Sequence, residues 1–141
     1  MSKVVQFITQ NFQIQYMEIK IDTKEKFKVI TPLSTNIDDN ITKEINDLCL
    51  TIFDKEKISV IIKLNHVIKL STLAIENLQT LSNTFYEKNV SFVICELSPS
   101  VLKQLTEDDL LDNFNYAPTE SEAWDIVQLE EIERELFSDE E

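Results

Sequence analysis

Apolar and polar positions along this chain switch between two periods, and the switches divide it into alternating strands and helices. Residues 17–22 (Met-Glu-Ile-Lys-Ile-Asp) alternate, as a half-buried strand does. Lys26–Ile30 alternates again through Phe27 and Val29 after the charged Thr23–Glu25 turn, which predicts an antiparallel hairpin. Thr31-Pro32 ends it, because proline cannot donate to a sheet ladder. From Ile37 the spacing turns helical: Ile41, Ile45, Leu48, Cys49 and Ile52 share a face as far as Asp54, with Asp38 and Asp39 suited to the positive end of the dipole. Ile58–Leu64 is β-branched and nearly continuous, the composition of a strand covered on both faces.

After Asn65–Leu70 a second helix begins at Ala74 and Ile75, and Leu78, Leu81 and Phe85 line it. Ser71 or Thr72 supplies its cap, and Lys88-Asn89 its stop. Val90–Leu97 is another core strand. Ser98-Pro99 opens a short helix through Val101, Leu102 and Leu105, and Leu110, Leu111 and Phe114 follow. Thr119 and Glu122 fit a capping box for a last helix. Ala123, Ile126, Val127, Glu130 and Arg134 make one mixed face of that helix, while Ile126, Leu129, Ile132 and Leu136 extend an apolar line, with Trp124 beside it as a core anchor.

The expected order is β-β-α-β-α-β-α-(β)-α, an α/β fold with a mixed four- to five-stranded sheet and about four helices. Strands joined through helices lie parallel, and the first hairpin contributes the antiparallel edge. Residues 1–16, with Val4, Val5, Phe7 and Ile8, form either an extra edge strand or an N-terminal extension. Residues 17–137 make the domain, and residues 138–141 a disordered acidic tail.

At 141 residues the chain fits one domain. Its longest unbroken apolar run is Phe92–Cys95, where a membrane span needs about 20 residues. No signal peptide opens the sequence, so a cytoplasmic location is expected. Cys49 and Cys95 lie in apolar stretches and are expected to be structural free thiols. The net charge of −13 is unevenly placed: residues 119–141 hold ten acids against Arg134 alone. Phosphate backbones and anionic membranes repel such a surface, which removes nucleic acid and membrane from the expected partners. The acidic end is a solvated helix first, and a docking surface for a basic partner second.

The chain has no glycine. Loops that cradle phosphate need glycine for close backbone approach, so neither a Walker A loop nor a dinucleotide fingerprint exists here. Positions with positive φ must fall to other residues, and Asn36, Asn65, Asn89 and Asn113 are the candidates. The lone His66 has no neighbours at metal-ligand spacing and is expected in an exposed turn. No nucleophile elbow and no Cys–His pair near a helix start is present. No cofactor is implied, and the expectation is a non-catalytic protein.

With these elements placed, residues 17–136 resemble a STAS domain, the fold of sulfate-transporter tails and bacterial anti-sigma factor antagonists. The resemblance rests on the element order and on Ile58–Leu81, where strand, polar corner and strand-like Val67–Leu70 lead into the second helix. Ser91–Leu97 followed by Ser98-Pro99-Ser100-Val101 resembles the family's fourth strand and third helix, and Pro118–Ala123 its last helix start. In the antagonists the turn usually reads Asp-Ser-Ser-Gly, and a partner kinase phosphorylates the first Ser. Laid on this chain, Thr72 takes the acceptor place, Ser71 stands for the Asp, Ala74 for the Gly, and Lys63 for the polar residue ending the preceding strand.

The resemblance implies a regulatory protein-binding module in bacterial signalling or transcription control. Its partner would be an anti-sigma-factor-like serine/threonine kinase, with a serine phosphatase or a STAS paralogue as further partners. Asn65, His66, Lys69, Ser71, Thr72, Leu73 and Ala74 form the expected docking corner, and Thr72 or Ser71 the possible phospho-acceptor. The alternatives are a phosphorylation-incompetent scaffold pairing with a STAS paralogue, or a small-ligand-binding STAS domain. The bland role of both hydroxyls is to cap a helix.

Overall fold

The computed structural model describes residues 2–9 and 16–139. Strand β1 (Ser2–Thr9) pairs antiparallel with β2 (Tyr16–Thr23), which pairs antiparallel with β3 (Phe27–Pro32). Ser2–Thr9 is thus an edge strand of the sheet. Residues 10–15 lie outside the described residues. A two-residue strand β4 (Asn36–Ile37) leads into α1 (Asp39–Glu56), then β5 (Ser59–Lys63) and a second short strand β6 (Lys69–Leu70). Next come α2 (Thr72–Glu87), β7 (Phe92–Cys95), α3 (Pro99–Glu107), a 3₁₀ turn at Leu111–Asn113, β8 (Tyr116–Ala117) and α4 (Glu120–Asp139). The expected α/β class with four helices is observed, and the expected order is kept with β1 and the short strands β4 and β6 added to it. Helix α4 continues to Asp139, into the segment expected to be a tail, and Glu140 and Glu141 lie outside the described residues.

The main sheet runs β1-β2-β3-β5-β7-β8, with its last three pairings parallel. Period-two alternation sorts the central strands between two cores. Val60, Ile62, Phe92 and Ile94 face α1 and α2, in a core with Ile19, Ile45, Leu81 and Phe85. Ile61, Val93 and Cys95 face the other way, onto Ala123 and Val127 of α4. The near-continuous apolar runs of β5 and β7 follow from this double cover. Trp124 is half-buried rather than central: it closes the α4-side core edge-to-face on Phe27 at 5.4 Å. Lys24 stacks over the same ring.

Side chains meet the first turn of each helix. Asp38 accepts from Ile41 N–H (2.9 Å), Ser71 from Ala74 N–H (3.0 Å) and Ser98 from Val101 N–H (3.3 Å). Thr119 accepts from Glu122 N–H (3.1 Å), as the capping spacing predicts, and its hydroxyl also donates to the Glu122 carboxylate. Of the four asparagines expected at positive φ, only Asn89 adopts it among the described residues. Lys57, Asn89, Glu96 and Asp109 have φ of 53°, 64°, 56° and 54°, while Asn36, Asn65 and Asn113 do not adopt positive φ. Lys57 terminates α1 and Asn89 and Asp109 follow α2 and α3, so chain reversal chooses the residue that stands at each stop. Each such non-glycine position costs about 1–3 kcal/mol, which surrounding packing must offset.

Cys49 and Cys95 are free and fully buried. Burial pushes both thiols up to about 12, and for Cys95 the nearby Glu96 and Glu120 add to the effect. The folded state therefore keeps two protons that the unfolded chain releases above its ordinary value of 9.0. Stability is expected to fall as pH rises from about 9 toward 12, with a slope approaching two protons. Urea unfolding at neutral pH and at two alkaline values checks this, and thiol labelling without urea is expected to be negligible. Glu44, also buried, has its carboxyl pushed up by burial first, then by Asp38 and Asp47.

Candidate functional site

The polar corner after β5 is built from a short alternation. Leu64, Val67 and Leu70 are buried, while Asn65, His66, Ile68 and Lys69 project outward. Val67 N–H closes the turn on the Leu64 carbonyl (3.1 Å). Short strand β6 then pairs parallel with β4, Asn36 with Lys69 and Ile37 with Leu70. Beyond that ribbon, Ile68 N–H donates to the Thr35 carbonyl (2.7 Å) and Ser71 N–H to the Ile37 carbonyl (3.0 Å). Helix α3 holds the corner from its other side. The Ser98 hydroxyl donates to the Val67 carbonyl (2.6 Å), and the Gln104 amide brackets Leu70. Its Nε2 donates to the Leu70 carbonyl (2.7 Å), and its Oε1 accepts from Leu70 N–H (3.2 Å).

Such double anchoring satisfies backbone groups that a loop would leave to water, and it fixes the start of α2. Gln104→Leu keeps the volume but orphans both Leu70 groups, at a cost of about 1–3 kcal/mol. Hydrogen exchange is expected to accelerate at Leu70 and Ser71 more than elsewhere; equal acceleration across α2 would show a merely global loss.

The corner presents a mixed surface. Asn65, His66, Lys69, Thr72 and Leu73 are exposed, Leu73 by 45 % and its apolar neighbour Ile68 by 57 %. Ser71 is half-buried, and its hydroxyl serves as the cap of α2, so it is the cap and Thr72 is the first helical residue. Ala74 is buried and belongs to the support beneath the corner rather than to the surface. The void under it, between Ile45, Ile62 and Leu78, is only about 10 Å³. A ligand pocket is normally some hundreds of Å³, so the corner offers a face rather than a cavity. The first turn of α2 carries no acidic residue. Sequence reasoning missed Ile68, which looked like part of a buried strand, and Gln104, whose partner is 34 residues away. The alternation of Val67 and Leu70 around Ile68 was the signal available for the first.

Lys63, at the end of β5, does not reach this corner. It pairs with Glu120 of α4 at 3.2 Å, and the other Glu120 oxygen accepts from Trp124 Nε1 (3.0 Å). Glu96, held at positive φ just beyond β7, accepts from Glu120 N–H (2.8 Å). The strained residue thus serves as a cap for α4. Cysteine, histidine and acidic residues form no group of three or more placed to hold a metal ion among the described residues. None of their helices is long and apolar enough to cross a membrane.

The fold and this corner place the chain among known proteins. The model of the STAS domain family matches residues 18–123. The chain belongs to the STAS domain family. No curated protein matches it significantly. Among solved structures, an anti-sigma factor antagonist from Mycobacterium paratuberculosis is similar with a TM-score of 0.65 at 17 % identity, covering 79 % of this chain and 94 % of that one. The unphosphorylated form of the anti-sigma factor antagonist SpoIIAA gives 0.63 at 17 % identity, covering 78 % and 96 %. The murine Slc26a9 anion transporter gives 0.56 at 16 % identity, over 74 % of this chain and 18 % of the transporter. At these identities the similarity shows the shared fold.

Proposed function

We propose that this STAS domain is a non-catalytic regulatory module that binds an anti-sigma-factor-like serine/threonine kinase through the corner at the start of α2. The observation that carries this is the exposure of two apolar side chains, Ile68 and Leu73, which flank Thr72 in the sequence, over a backbone held by β4 and Gln104. An apolar contact on a preorganised backbone costs little ordering entropy on binding. The polar rim of Asn65, His66 and Lys69 suits the edge of a protein interface. Two of the similar structures are anti-sigma factor antagonists, which supports this choice of partner.

Thr72 is the acceptor position in this proposal. Phosphorylation there adds about −1.5 to −2 charge at the positive end of α2, where no first-turn acid opposes it. The same charge between Ile68 and Leu73 would be desolvated in the complex and so would oppose docking. A serine phosphatase would reverse the switch. Incubation with such a kinase and ATP, followed by phosphopeptide mass spectrometry, is expected to place phosphate on Thr72. Thr72→Asp is expected to weaken the complex at least ~10-fold. No phosphate with the complex retained would favour the scaffold, and an unchanged complex with Thr72→Asp would remove the corner from the interface.

A further inference from the structure

Helix α4 has two faces that the fold treats oppositely. Ala123 and Val127 are buried against the sheet, and Glu130 and Arg134 continue that face. The Ser91 hydroxyl donates to Glu130 (2.5 Å), Asn115 donates to its other oxygen (2.9 Å), and Arg134 reaches the Ser91 oxygen (3.3 Å). The mixed face read from the sequence is therefore the inward one. Leu129, Ile132 and Leu136, from the apolar line, are 56 %, 53 % and 61 % exposed. At about 100° per residue the three lie within roughly 60° of each other and nearly opposite Val127.

A surface helix ordinarily keeps its charged side outward, and a continuous aliphatic stripe there marks an interaction surface. The stripe is about 10 Å long, two helical turns. Asp125, Glu133 and Glu135 beside it are exposed. Arg134 is the only basic residue of α4 and is turned inward onto Ser91. A groove of about 430 Å³ adjoins the stripe; Lys24 and Lys26 wall its far side, and Trp124, Ile132 and Glu135 the side on α4. The STAS match ends at Ala123, so the stripe belongs to residues outside it, and α4 lies on the face of the sheet opposite α2.

We propose that the Leu129–Ile132–Leu136 stripe docks a basic amphipathic helix of a protein partner. Aliphatic residues of that helix would cover the stripe at i, i+3 and i+7, and its Lys or Arg side chains would meet Asp125, Glu133 and Glu135. A second copy of α4 would set acids against acids, and an anionic bilayer would be repelled in the same way. Charge complementarity selects the basic helix. This site is independent of the α2 corner.

The test uses the full chain and a synthetic amphipathic peptide of about 18 residues, long enough for some five turns, with leucines at the stripe spacing and lysines elsewhere. A twin peptide carries glutamate in place of every lysine. Isothermal titration is expected to show the lysine peptide binding at least ~10-fold more tightly than its twin, with affinity falling as salt rises. Ile132→Ser with Leu136→Ser is expected to weaken it a further ~10-fold while leaving thermal unfolding unchanged, because both residues are exposed. Asp125→Lys with Glu133→Lys, which spares the apolar residues, is expected to reverse the preference between the twins. Equal affinity for the two peptides, or binding indifferent to the serine substitutions, would overturn the proposal. A concentration-dependent dimer in sedimentation, abolished by those substitutions, would assign the stripe to a second copy and overturn it as well.

Discussion

Leu73→Asp is expected to weaken binding of an anti-sigma-factor-like kinase by about 100-fold or more while leaving the fold intact. Central interface anchors are worth about 2 kcal/mol or more when truncated, and a carboxylate adds the cost of burying an unpaired charge. In the free protein Leu73 is 45 % exposed in the first turn of α2, where an acid is favourable to the dipole. The melting temperature should therefore hold or rise slightly. Ile68→Asp, on the other side of Thr72, is expected to act in the same direction. Titration calorimetry with the purified kinase gives the affinity, and a thermal scan gives the fold. Loss of both would mean that the substitution acts through unfolding.

Phe85→Ala is expected to do the reverse. Phe85 is fully buried near the end of α2, with its ring 5.2 Å from Phe53 of α1 and 5.3 Å from Phe92 of β7. It links α1, α2 and the central sheet within one core. Removing it opens a cavity at a cost of about 3–5 kcal/mol, a large part of the roughly 5–15 kcal/mol that holds a domain together. The melting temperature should fall by roughly 10 °C or more. Below that temperature, affinity for the partner should change less than about threefold, because the corner is anchored separately through Gln104 and β4. The two variants together separate docking from folding.

Local periodicity made much of this molecule legible. The alternation of Met17–Asp22 and the helical spacing of Ile41–Ile52 report which side of an element is buried, and that information lies within a few residues. The caps Ser71 and Thr119 were equally local, since each bonds an N–H three residues on. What escaped depends on distant chain. Gln104 has meaning only once α3 lies against Leu70, and β4 is a strand only because β6 runs beside it. Asn89 was legible as a left-handed stop, but the other left-handed positions escaped: Lys57, Glu96 and Asp109 stand where the chain must turn, and tertiary geometry overrode their preference. On α4 the apolar line was visible in sequence, but its outward direction was not. The inward face is completed by Glu130 and Arg134, whose charges are satisfied by Ser91 and Asn115 across the fold.

The corner also shows how one residue type divides its roles. Ser71 and Thr72 are adjacent hydroxyls at one helix start, yet the first is spent on the Ala74 N–H and the second stands exposed. A phosphate on Ser71 would replace the hydroxyl that accepts from Ala74 N–H, whereas one on Thr72 would leave that bond in place.

The central claim is that the start of α2 is the docking face, and amide chemical-shift mapping tests it most directly. The ¹⁵N-labelled chain would be titrated with the unlabelled anti-sigma-factor-like kinase. The largest perturbations are expected on Asn65, His66, Ile68, Lys69, Thr72 and Leu73, with β1 and β2 unaffected. A complex whose perturbations avoid this corner would contradict it.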